Sequence, residues 1–168
     1  MKVANMLVRM KGRNEMIKRL SNDDALPWEL LLEADPEKEL VEDYLEEAII
    51  WGYQSQNSGR LTGVLVLKKQ RDDLYEIMNV SVDEVEQGKG IGTLLIKEAL
   101  ATVSNATQDC CKVQVKTGDT SKPALALYKK NGFEIKEVIE NYFIENYSEP
   151  IFEDGILLKN QVILEKMV

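Results

Sequence analysis

Val82-Asp83-Glu84-Val85-Glu86-Gln87-Gly88-Lys89-Gly90-Ile91-Gly92-Thr93 joins a strand pattern directly to a helix pattern. On its N-terminal side, Leu74 to Val82 is rich in apolar and β-branched residues, which predicts a strand. On its C-terminal side, Ile91, Leu94, Leu95, Ala99 and Val103 line one face of a helix expected to end near Ser104. Small residues at such a junction let successive backbone N–H groups converge on an anion. The positive end of the helix adds its field, so phosphate oxygens suit the position, and Lys89 contributes a mobile charge. Two better-known glycine loops fail on spacing. Neither the dinucleotide pattern G-x-G-x-x-G nor the triphosphate pattern G-x-x-x-x-G-K-[ST] aligns to these residues, so hydride transfer and nucleotide hydrolysis lose support.

Working outward, Ile49 to Gln54 and Leu61 to Lys68 read as a hairpin around Asn57, Ser58 and Gly59, and Arg71 to Asp73 make a second turn. Three consecutive strands ending at Val82 are therefore expected to be antiparallel. Before them, Asp35 and Pro36 suit a helix start, and Leu40, Val41, Tyr44, Leu45 and Ala48 recur at helical spacing over 36–48. Met6 to Met10 is a strand candidate and Asn14 to Leu20 a short helix. Beyond the central helix, Val113 to Thr117 alternates as a strand, and a helix starts at Pro123 and stops at Asn131-Gly132. Strands then follow at Phe133 to Val138 and Gln161 to Lys166. This order implies a mixed α/β sheet with helices on its faces.

The length of 168 residues fits one compact domain. With 21 basic against 29 acidic side chains, the formal charge is −8, so there is no basic stripe for general nucleic-acid binding and any polyanion must be held locally. No apolar run reaches membrane-spanning length, and no signal peptide is evident, so a cytoplasmic protein is expected. Histidine is absent, which removes triads built on it. The two cysteines, Cys110 and Cys111, are adjacent, which suits neither an ordinary disulfide nor a zinc framework, so no metal is expected.

Gln87, Gly90 and Gly92 form Gln-x-x-Gly-x-Gly, which resembles the acetyl-coenzyme A loop of the GNAT N-acetyltransferases. Upstream, Glu76 to Val82 is similar to that family's central substrate strand. Downstream, Asp119 to Phe133 is similar to its last motif, with Ala124, Leu125, Leu127, Tyr128, Gly132 and Phe133 matching. Ala34 to Pro36 and Pro150 to Gly155 further resemble its bacterial YvbK-type branch.

The resemblance implies a GNAT-like, mostly antiparallel sheet over the whole chain, splayed at the acetyl-CoA site. It implies acetyl transfer from acetyl-CoA to a primary amine of a small molecule, peptide or protein by direct attack on the thioester, releasing CoA. The alternative is a noncatalytic acyl-CoA binding or sensing module. Neither a metal, a membrane nor a nucleic acid is called for, and exposed strand edges permit a homodimer without demanding one.

In that reading Gln87, Gly88, Lys89, Gly90, Ile91, Gly92 and Thr93 hold the diphosphate, and main-chain groups of Val80 and Val82 pair with the pantetheine arm. Ser121 stands where many relatives have Asn, and a hydroxyl both donates and accepts. Tyr128 shares a helix face with Ala124 and Leu125; on spacing alone it is a core aromatic, and the resemblance makes it the acid that protonates the departing thiolate. Glu76 alternates with Met78, Val80 and Val82 on one strand face. It is either a base for the amine or a carboxylate at a solvated strand end. Glu84 and Glu86 read as solvated. Tyr142, Tyr147 and Phe152 either line an acceptor pocket or pack beneath the last strand. Eight acidic residues in 33–47 and six in 137–154 are read as solubilising surface, or as an attractor of cationic amines if they line the cleft.

Overall fold

The computed structural model describes residues 16–21, 23–107 and 109–168. Their strands are β1 (Ile17–Leu20), β2 (Ile49–Gln54), β3 (Leu61–Arg71), β4 (Leu74–Val82), β5 (Lys112–Gly118), β6 (Glu134–Ile139), β7 (Phe152–Glu153), β8 (Ile156–Leu157) and β9 (Gln161–Met167). The helices are α1 (Trp28–Ala34), α2 (Lys38–Leu45), α3 (Ile91–Ala106), α4 (Lys122–Lys130) and α5 (Tyr142–Asn146). Seven strands form one sheet in the order β1-β2-β3-β4-β5-β9-β6, and β7 pairs with β8. The β1–β2, β2–β3, β5–β9 and β6–β9 ladders are antiparallel, whereas β4–β5 is parallel. The expected mixed, mostly antiparallel sheet flanked by helices is the fold that forms.

The chain divides into two compact units, the described residues up to Lys68 with Met78–Ala101, and Lys69–Ile77 with Thr102–Val168. In the first, Val64, Leu65, Val66 and Leu67 are buried in succession, as a strand covered on both faces requires. Leu30 and Leu31 of α1 and Val41 and Tyr44 of α2 pack against Val64 and Val66. Each such Leu or Val stabilises the fold by roughly 1.5–3 kcal/mol on full burial. The start of α3 lies close upon β3: a Cβ at Gly63 would sit 3.0 Å from Ile91 Cγ2 and 3.2 Å from Leu95 Cδ1.

Two expectations change here. Asn14 to Leu20 is not a helix over its described part: Ile17–Leu20 is an edge strand paired with Ile50–Tyr53. The helix expected over 36–48 is shorter, and α1 precedes it. Asp35 closes α1, its N–H bonding to Leu31 O, while its carboxylate accepts from Glu37 N–H at 3.3 Å. Pro36 then separates the two helices, since it has no N–H to carry α1 onward. The strand candidate at Met6 to Met10 lies outside the described residues.

In the second unit Val113 and Val115 of β5 and Val162, Ile163 and Leu164 of β9 supply the buried strand core. Helix α4 has Pro123 in its first turn and Lys129 and Lys130 in its last, where cations oppose the negative dipole end. Its C-terminus turns through Asn131 to Gly132 at φ +86°, and Phe133 meets Tyr128 edge-on at 6.0 Å between ring centroids. Edge strand β6 exposes Ile135 and Val138. Cys111 is buried and Cys110 exposed, both as free thiols.

Candidate active site

The glycine loop belongs to the first unit, and its shape follows from its residues. After Val82, the Asp83 side chain accepts from Val85 N–H at 3.2 Å and caps a 3-10 turn over Glu84–Glu86. Gln87 Nε2 donates back to Val82 O at 2.9 Å, tying the loop to the end of β4. Gly88 and Gly90 take φ +73° and +85°, a region that costs other residues about 1–2 kcal/mol. Nothing lies within 4 Å of where a Cβ would stand at either, so backbone conformation and not crowding requires glycine. The Leu94 N–H bonds to Gly90 O at 3.1 Å as α3 begins, and the first turn of α3 contains no acidic residue. Lys89 Nζ lies 2.9 Å from Glu86 Oε2, so Glu86 is not merely solvated. Open space above two left-handed glycines, at the positive end of a 16-residue helix, fits a diphosphate.

Val80 and Val82 lie on β4, whose ladder with β5 covers only Leu74–Ile77 against Lys112–Val115. At the alternate positions of the same strand, Asn79 and Ser81 are buried. Asn79 Nδ2 donates to Leu31 O at 2.9 Å and to Tyr44 Oη at 2.8 Å. Burial pushes the Tyr44 phenol up to about 12, against the lowering effect of the Asn79 bond. Ser81 Oγ donates to Glu33 at 3.4 Å. This polar set was missed in the sequence because its partners come from two helices. A cavity of about 550 Å³ also lies in the first unit, between the turn Asp24–Leu30 and the hairpin residues Gln54 and Gly59–Leu61, with Lys18 and Asp83 on its wall.

The second unit holds the remaining candidates. Ser121 stands at the N-cap of α4 and Tyr128 lies within the helix seven residues on; they are 5% and 6% exposed. Burial alone pushes the Tyr128 phenol well above its ordinary value, so it keeps its proton throughout the neutral range. Ser121 Oγ donates to the Glu153 carboxylate of the β7–β8 hairpin, a partner 32 residues away that no spacing rule would have found. Glu76 is buried rather than at a solvated strand end. Lys116 Nζ lies 3.0 Å from its Oε1, and Gln70 Nε2 donates to its Oε2 at 3.1 Å. The rings of Tyr142, Phe143 and Tyr147 cluster about α5, while Phe152 is 64% exposed. Among the described residues no group of three or more Cys, Asp or Glu side chains is arranged to hold a metal ion, and no helix is long and apolar enough to cross a membrane.

The model of the acetyltransferase (GNAT) family matches residues 15–133. The chain is 37% identical over 144 residues to the Bacillus subtilis (strain 168) protein called uncharacterized N-acetyltransferase YvbK, covering 86% of this chain and 89% of that one. Among solved structures, a GNAT family acetyltransferase from Elizabethkingia anophelis with acetyl-CoA bound superposes with a TM-score of 0.83 at 33% identity, over 90% of this chain and 97% of that chain. An IAA acetyltransferase from Bacillus cereus ATCC 14579 gives 0.82 at 36% identity, over 90% and 98% of the two chains. Sequence and fold together make this chain a member of the GNAT family of acetyltransferases, whose acyl donor is acetyl-CoA.

Proposed function

We propose that the protein transfers the acetyl group of acetyl-CoA to a primary amine of a small molecule, peptide or protein. The thioester supplies an activated acyl carbon; the amine nitrogen bonds to that carbon as the carbon–sulfur bond breaks. Backbone amides from Gly88 to Thr93, with Gln87 and Ile91 shaping the turn and Lys89 adding charge, hold the diphosphate. Main-chain groups of Val80 and Val82 pair with the pantetheine arm, and the Val80 N–H is the donor assigned to the thioester carbonyl. Tyr128 gives its proton to the leaving sulfur, a task suited to a phenol that burial keeps protonated. Glu76 takes the amine proton, directly or through water. Lys116 and Gln70 occupy one position on each of its oxygens, and each oxygen keeps a further lone pair for a third partner.

The observation that carries this reading is the pair of exposed, left-handed glycines at the head of α3, with open space in front of them. Two measurements test it. Calorimetric titration with CoA should give saturable binding, and acetyl-CoA with a panel of polyamines, amino acids, aminoglycosides and peptides should release free thiol. Tyr128→Phe should lower turnover about 10²–10⁴-fold with CoA affinity little changed. Absence of CoA binding rejects the reading outright. Binding without thiol release on any amine favours the noncatalytic module instead.

A further inference from the structure

Ser121 precedes α4 in the N-cap position, yet its hydroxyl makes no capping bond to the helix. That is unusual for a serine there, because the side-chain oxygen normally accepts from an N–H of the first turn. The hydroxyl, on a buried residue, instead donates to Glu153. It is boxed on another side as well: a Cβ at Gly118 would lie 3.0 Å from Ser121 Oγ and 2.6 Å from Leu158 Cδ2, so the turn, the hairpin and its flank close around this one oxygen. A hydroxyl has one proton and two lone pairs. With its proton committed to a carboxylate, the Ser121 oxygen can only accept, and donation to an anion strengthens that capacity.

We infer that Glu153 is a positioning residue that holds Ser121 as a pure hydrogen-bond acceptor for an amide N–H of the pantetheine arm. The inference rests on the acetyl-CoA reading above and adds to it a residue outside the glycine loop and outside α4. The assignment follows from complementarity: the arm carries secondary amides, each with one N–H to give, and Ser121 heads the helix that bears Tyr128. Asn at this position would present a carbonyl oxygen with no need of an orienting carboxylate. Glu153 is therefore required by Ser121 and dispensable beside Asn.

The test is a cycle of calorimetric titrations on Glu153→Ala, Glu153→Gln, Ser121→Ala and Ser121→Asn, each with CoA and with adenosine 3′-phosphate 5′-diphosphate, which lacks the arm. Glu153→Ala should weaken CoA binding about 3- to 10-fold, the range expected for one oriented hydrogen bond, and leave the armless ligand unchanged. Glu153→Gln, whose amide oxygen still accepts from Ser121, should lose less. Ser121→Ala should match Glu153→Ala, and combining the two should add nothing. In the Ser121→Asn background, Glu153→Ala should have no effect. Equal weakening of both ligands would mean that Glu153 merely stabilises the fold and would overturn the inference, as would unchanged CoA affinity, or a shift confined to the acceptor's KM. Wild-type protein that binds neither ligand would overturn the acetyl-CoA reading itself, a result distinct from all of these.

Discussion

Gly59, Gly88 and Gly90 form a matched set for separating backbone strain from ligand binding. All three take positive φ, at +68°, +73° and +85°, and none has an atom within 4 Å of the position a Cβ would occupy. Alanine at any of them therefore brings no clash, only the left-handed penalty of about 1–2 kcal/mol. Their surroundings differ in one respect. Gly59 is pinned in the β2–β3 turn, its N–H bonding to Ser55 O at 2.8 Å and its carbonyl accepting from Gln54 Nε2 at 2.7 Å. Gly59→Ala must keep the strained conformation, and its Tm should fall by roughly 2–8 °C for a chain of this size. The exposed loop at Gly88 and Gly90 can relax, so those variants should lose less stability, but binding must then restore the strained backbone. Restoring about 1–2 kcal/mol corresponds to a 5- to 30-fold rise in Kd for CoA. Thermal melts and calorimetry on the three variants suffice. If Gly59→Ala weakens CoA as much as the loop variants, or if Gly88→Ala and Gly90→Ala bind CoA like wild type, the loop does not act through its backbone amides.

Asn79→Asp should destabilise by about 3 kcal/mol at pH 8, because an ionised carboxylate cannot donate to Leu31 O or Tyr44 Oη. Burial raises the folded pKa of such a carboxyl, so the loss should shrink as pH falls toward 4, which urea unfolding at several pH values will show. Asp35 has its carboxyl held above its ordinary value of 3.8, chiefly by burial, with the Glu37 charge adding to the rise and the Glu37 N–H opposing it. The folded state thus binds the proton more tightly, and stability falls as pH rises past 3.8. Asp35→Asn should raise Tm at pH 7 and lose that advantage below pH 3.8. Glu76→Gln should abolish the limb of the pH–rate profile set by the base; an unaltered profile removes Glu76 from the chemistry.

The parts of the fold legible in the sequence are those whose signal is local. Strands β2 and β4 begin and end at the residues expected, and α3, α4 and the glycine turn between β4 and α3 follow from spacing and capping within a few residues. Other elements were not legible, and β1 and α1 show two different reasons. Ile17-Lys18-Arg19-Leu20 places its apolar residues three apart, which suits a helical turn as well as a strand end, and only pairing with β2 decides for the strand. Helix α1 is seven residues long, too short for a periodic signal. It is held by Leu30 and Leu31 entering the core and by the closing bond from Asp35 N–H, both tertiary facts.

The same distinction separates the glycine loop from Glu76. Gln87, Gly88 and Gly90 could be named from sequence because a turn that presents amides needs its glycines at fixed offsets. Glu76 could be named only as an oddity, a carboxylate on an apolar strand face. Its surroundings depend on register: Glu76 stands opposite Gln114 on β5, which brings Lys116 alongside, 40 residues away in the chain. Register also sets a second polar group on β5 and β9, where Lys112 and Gln114 meet Glu165 at 3.2 Å each. A buried carboxylate with a cation and an amide on its oxygens is a satisfied group, and satisfaction alone accounts for its burial. Chemistry at Glu76 therefore depends on what its remaining lone pairs can reach, whereas the exposed glycine turn sets two left-handed glycines beneath open space at the head of α3. The weight of the functional reading accordingly falls on the loop, and Glu76 has to earn its place through the pH profile.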